Sequence, residues 1–115
     1  MKIKIKNQEL ELAYSMRTYI LFENIQGQSL SFENLNSYTS LIVLFYSAIV
    51  ATIQKRKLDI TLSYDEFIDW LDDNNGENMI KEFSNWFTTQ LTNNLALQQN
   101  EDNENTSDSD ESKNV

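Results

Sequence analysis

A chain of 115 residues suits one domain with a modest core, and its net charge of −9 argues against a nucleic-acid backbone or an anionic membrane as ligand. It has no Cys and no His, which removes disulfides, thiolate metal sites, thiol nucleophiles and imidazole bases together. Only Gly27 and Gly76 are present, so no glycine-rich phosphate loop can be written.

The opening segment KIKIKNQELEL alternates with period two. Ile3 and Ile5 share one face with Lys on the other, and Leu10 and Leu12 alternate with Glu in the same way. This predicts a β-hairpin turning at Asn7-Gln8, with Lys and Glu rows facing each other across it. No apolar h-region follows the lysines, so no secretory signal is read here. Zero Cys is compatible with a reducing cytoplasm.

Ser15 is placed to cap a helix that runs to about Gln26, with Gly27 as the residue that ends it. The apolar residues Met16, Tyr19, Ile20, Leu21, Phe22 and Ile25 do not form one stripe, which suggests contacts from several sides. Residues 28–36 form a connection or a short helical turn. A second helix is expected from about Ser37 to Arg56. Its only weakly apolar strip holds Ser40, Ser47, Ala51 and Gln54, which marks a central helix covered on most sides. The run LIVLFYSAIVA within it falls short of the roughly 20 residues a bilayer span needs. Lys55, Arg56 and Lys57 close the helix at the negative end of its dipole.

Residues 58–62 alternate again and can add a third strand to the hairpin. Ser63 and Glu66 form a capping box. Tyr64, Phe67, Ile68 and Leu71 then fall at helical spacing on one face, with Asp65, Glu66, Asp69 and Asp72 on the other. Trp70 lies on the flank of that apolar face, either at the rim of the core or as an anchor for a partner. Gly76 and its Asn neighbours form a turn, and a fourth helix runs from near Glu77 to about Leu97. Its apolar stripe holds Met79, Ile80, Phe83, Trp86, Phe87 and Leu91, and its end, with Leu95 and Leu97, outruns the elements available to cover it. Residues 98–115 carry six acidic residues against one Lys. Such a segment buries too little surface to offset ordering entropy, so disorder is expected there.

The carboxylates at 65, 66, 69, 72 and 73 are the abundant catalytic type, but they sit on the polar face of a helix, where solvation is the simpler role. A calcium loop fits poorly. Aligning Gly76 with the turn glycine of an EF-hand supplies Asp73, Asn75 and Glu82, but puts Leu71 where the ion needs a carboxylate. No metal and no cofactor is expected.

The order of elements and the phrases YILFENIQGQS, DITLSYDEFIDWLDDN and MIKEFSNWF resemble small tail assembly chaperones of long-tailed bacteriophages and prophages, especially those of Bacteroides-like hosts. The likeness covers about residues 1–90. It implies a non-enzymatic role in the bacterial host cytoplasm: binding the coiled-coil-prone tape measure protein, and keeping it soluble until tail tube subunits polymerise around it. It also implies absence from the finished virion. The tail tube protein is a further possible partner, and a homo-oligomer is possible; no nucleic acid or membrane partner is implied. No family motif assigns a site, and on aromatic content and stripe ends Trp70, Trp86, Phe87, Leu91 and Leu95 are the candidate partner-binding residues. The alternative is an acidic DNA mimic or inhibitor that occupies a basic site on a host protein. The expected fold is α+β: an N-terminal hairpin, with two or three short strands, and three to four helices over residues 1–97, followed by the acidic tail.

Overall fold

The computed structural model describes residues 1–31 and 33–106 of the chain. It is an α+β fold: a two-stranded antiparallel hairpin followed by four α-helices. Strands β1 (Lys2–Ile5) and β2 (Gln8–Glu11) pair Lys2 with Glu11, Ile3 with Leu10, Lys4 with Glu9 and Ile5 with Gln8. The turn is therefore Lys6-Asn7, one residue earlier than the Asn7-Gln8 turn read from the sequence. Both residues are left-handed, with φ of 50° and 64°. Such a turn matches strand twist, and Asn tolerates the left-handed region better than Gln. The Lys6 side chain is in turn aimed at helix α3 (Tyr64–Asp73), where its ammonium meets Glu66 at 2.9 Å. Glu11 pairs with the N-terminal amine of Met1 at 2.8 Å.

Helix α1 (Met16–Gln26) ends as the sequence indicates, at Gly27 with φ 82°, whose N–H donates to the Glu23 carbonyl at 2.8 Å. Its start differs in detail. Ser15 holds the capping position, but its side chain makes no capping hydrogen bond. The Ser15 and Thr18 hydroxyls are both buried without a partner. A short 3-10 turn at Asn34–Asn36 leads to helix α2 (Tyr38–Lys55), capped by the Ser37 hydroxyl, which accepts from the Ser40 N–H at 3.3 Å.

Helix α2 is the central element, with eleven of its residues buried. It is long and apolar enough to cross a membrane by length and composition, and here most of it is buried inside the protein. The weakly apolar strip is the seam with α1. At one end Gln26 donates to the Ser40 hydroxyl at 3.0 Å, and at the other Arg17 donates to Gln54 at 3.0 Å, so the two helices run antiparallel. Ser47 and Ala51, both buried, lie between these ends and are small enough for close approach. The buried Ser47 hydroxyl donates back to the Val43 carbonyl at 2.8 Å, so it is satisfied within its own helix.

The end of α2 is a Schellman motif built without glycine. The Lys57 N–H donates to Gln54 O at 3.2 Å, and the Leu58 N–H to Ile53 O at 3.0 Å, with Lys57 itself at φ 54°. Residues 58–62 form no strand. Their carbonyls are taken by side chains instead: Lys6 Nζ donates to Thr61 O, and the Tyr46 hydroxyl to Leu62 O at 2.7 Å. The sheet keeps two strands for that reason, while Ile60 from this segment enters the core.

Helix α3 opens with the reciprocal capping box between Ser63 and Glu66. Helix α4 (Gly76–Thr106) begins after only Asn74 and Asn75. Asn75, at φ 55°, makes the reversal, not Gly76. Gly76 suits a close approach: a Cβ there would lie 3.0 Å from the Leu71 carbonyl oxygen, tighter than most side chains allow. Helix α4 continues to Thr106, nine residues past the end expected at Leu97. Part of the acidic tail is thus helical, and residues 107–115 lie outside the described residues.

Rings join the parts. Tyr46, Phe67 and Phe45 connect α2 to α3, and Phe45 stacks on Phe83 of α4 with centroids 4.5 Å apart. Phe83 continues to Phe87, and Phe87 to Tyr14 at 5.6 Å and Tyr19 at 6.2 Å, which ties α4 to the start of α1. The Tyr14 and Tyr19 hydroxyls are hydrogen-bonded to each other. Burial first, and that bond second, push the Tyr19 phenol above its ordinary range.

Candidate interaction surface

The five residues nominated from the sequence do not form one surface. Phe87 is a correction: it is 1 % exposed, held between Phe83, Tyr14 and Tyr19, and is a core residue that no partner of the folded chain can reach. Trp70 is half-buried at the rim. Its ring packs on Phe67 at 6.0 Å and against Phe45 at 6.1 Å, and its indole N–H donates to the Lys4 carbonyl at 2.8 Å. Its polar handle is thus used internally, to fasten α3 to β1. Trp86 is half-buried on the flank of α4 beside Phe83 and Phe87. Leu91 is half-buried one turn beyond Phe87. Leu95 lies on α4, beyond the residues whose side chains are described.

The residues that would form a calcium loop are mostly helical. Leu71 and Asp73 belong to α3, Glu82 belongs to α4, and only two residues separate the helices. An EF-hand needs a twelve-residue loop to wrap the ion, so this link does not fit one. Among the described residues no three His, Cys, Asp or Glu side chains gather where a metal ion could be held.

Asp65, Glu66, Asp69, Asp72 and Asp73 are all exposed on α3. Glu66, Asp69 and Asp73 border a shallow hollow of about 260 Å³ beside Trp70. The Glu66 carboxyl is held below its ordinary 4.5, chiefly by the Ser63 backbone N–H and then by the Lys6 ammonium. This is the signature of a cap with an ion pair; a general acid would need the opposite shift.

The exposed apolar surface lies elsewhere, on α1. Met16 is 75 % exposed, Ile20 57 % and Ile25 47 %. Thr18 and Phe22 face α2, so at 100° per residue Met16 and Ile20 stand on the opposite, outward side, one turn apart. Beside them a groove of about 590 Å³ runs between α1 and the last turn of α2, with Leu21, Arg17, Gln54 and Lys55 on its walls. Tyr38, 53 % exposed, sits at the other end of α2. Sequence reading missed the α1 face. The signal is present in the untidy apolar distribution of this helix, which suggests contacts from several sides without saying that one of them is outward.

Comparison of the chain with protein-family models, with curated proteins and with solved structures finds no match to any of them.

Proposed function

We propose that this chain is a non-enzymatic binding protein of the phage tail assembly chaperone type. It holds the tape measure protein soluble in the bacterial host cytoplasm while the tail tube assembles. The observation that carries this reading is the exposed apolar pair Met16 and Ile20 beside a groove on α1, on a domain whose α3 carboxylates are solvated. An amphipathic client needs an apolar strip rimmed by polar groups, and this surface is of that kind. The nominated aromatic anchors support it less directly, since Trp70 and Phe87 are occupied within the fold; Trp86 and Leu91 remain available as a second contact.

The test is co-expression with any long coiled-coil-rich protein encoded beside this chain's gene, the expected tape measure protein. Wild-type chain is expected to keep that protein in the soluble fraction and to co-purify with it. Met16→Asp with Ile20→Asp should send it to the pellet while this chain stays folded. A client equally soluble without this chain would refute the reading.

The exposed carboxylate row of α3 favours a second reading, an acidic mimic that occupies a basic site on a host protein. Salt separates the two. Apolar client binding should survive about 0.5 M salt, where the Debye length is well below 8 Å, and mimicry should fail there.

A further inference from the structure

The groove on α1 carries the charge opposite to that of the whole chain. It is lined by Met16, Ile20 and Leu21 together with Arg17, Gln54 and Lys55. Two of the nine basic residues, Arg17 and Lys55, thus line this groove on a chain of net charge −9, and Arg56 and Lys57 follow Lys55 in sequence. No ion pair among the described residues neutralises Arg17 or Lys55. Glu11, which lies close enough to Arg56 to feel its charge, is paired with the Met1 amine. Glu23, the one carboxylate of α1, lies a turn beyond Ile20. Arg17 is fixed by a neutral partner, Gln54, at 3.0 Å. A guanidinium offers five donors, so most of those on Arg17 stay free for a carboxylate.

We propose that this groove selects a partner helix with an apolar stripe and carboxylates along one edge. Met16 and Ile20, one turn apart, match apolar residues spaced three or four apart on such a helix, and Arg17 and Lys55 meet acidic side chains flanking the stripe. Charge complementarity then sets orientation and partner choice, while the apolar floor supplies contact. A concave groove between two helices suits a cylinder better than a flat bilayer, and the chain's overall negative charge opposes an anionic one. The proposal rests on the binding-protein reading above and not on the identity of the client.

Two labelled synthetic peptides of about three heptads test it, sharing one Leu/Ile stripe but flanked by Glu in one and by Lys in the other. Fluorescence anisotropy with the full chain should show the Glu-flanked peptide binding about tenfold tighter or more at about 0.1 M salt. Arg17→Glu with Lys55→Glu should invert the order. Lys55→Glu alone, at a helix end and outside the α1–α2 seam, should narrow the gap several-fold even if the double variant fails to fold. Met16→Asp with Ile20→Asp should abolish both interactions with the circular dichroism spectrum retained. Equal affinities, or a preference unmoved by Lys55→Glu, would overturn the proposal. So would Met16-dependent dimers in sedimentation without peptide binding, or binding to vesicles of phosphatidylserine and phosphatidylcholine in place of the peptides. Peptide selectivity without tape measure co-purification would remove the client and keep the groove; the reverse would remove the groove and keep the client.

Discussion

Trp70 distinguishes a residue that holds the fold from one that waits for a partner. Replacing it with Ala deletes the N–H bond to the Lys4 carbonyl, worth about 1 kcal/mol. It also deletes ring contacts with Phe67 and Phe45, together about 1–2 kcal/mol. Burial of a half-covered indole adds roughly 1 kcal/mol more. Trp70→Ala should therefore cost about 3–4 kcal/mol, within the usual range for large-to-small aromatic changes. Trp70→Phe keeps a ring at the rim and loses the donor, so about 1 kcal/mol is expected. Urea unfolding followed by far-ultraviolet circular dichroism gives both values by linear extrapolation. A Trp70→Ala variant within about 1 kcal/mol of wild type would refute the reasoning. If that variant also lost its client, Trp70 would be a partner anchor after all.

Other outcomes follow from single contacts. Phe87→Ala should destabilise by about 3–5 kcal/mol in the same urea assay, because its ring is enclosed. Thr18→Val removes a hydroxyl that is 1 % exposed and has no partner, so a gain of about 1–2 kcal/mol is expected, with Thr18→Ser showing no such gain. Lys57→Gly relieves a left-handed residue in the Schellman motif and should raise stability by about 0.5–1 kcal/mol. The Glu66 and Glu11 carboxyls are both held below their ordinary 4.5, so their contribution is complete above about pH 5 and is lost as pH falls through the lowered folded-state values. The melting-temperature gap between wild type and Glu66→Gln should accordingly be widest near neutrality and close in acid; a constant gap from pH 7 to pH 3 would argue against it.

Periodicity made much of this architecture legible. The capping box at Ser63 and Glu66, the Phe67 and Leu71 face, and Gly27 at the end of α1 all follow from local rules that tertiary contacts do not oppose. Where the structure departs from these rules, side chains distant in sequence are involved. Lys6 and Tyr46 satisfy the carbonyls of residues 61 and 62, so an alternating segment never becomes a strand. Asn7 takes the turn one place earlier, and Lys6 gains Glu66 by it. The serine strip of α2 was visible, yet its meaning as a seam needed the bonds from Gln26 and Arg17 at its two ends. Helical period alone put Trp86 and Phe87 on one stripe. It could not say that Tyr14 and Tyr19 close over one of them, because those residues are more than sixty positions away.

The elbow between α3 and α4 is set by a methyl group that is not there. With a Cβ at position 76 the Leu71 carbonyl would have to give by a few tenths of an ångström, right beside the left-handed Asn75 that turns the chain. Phe67 and Phe83 meet Phe45 from those two helices, so the spacing set at this link is the spacing of the rings. Gly76 thus works as a gauge block between two beams: a one-carbon change near the surface would read out as slack in the middle of the domain.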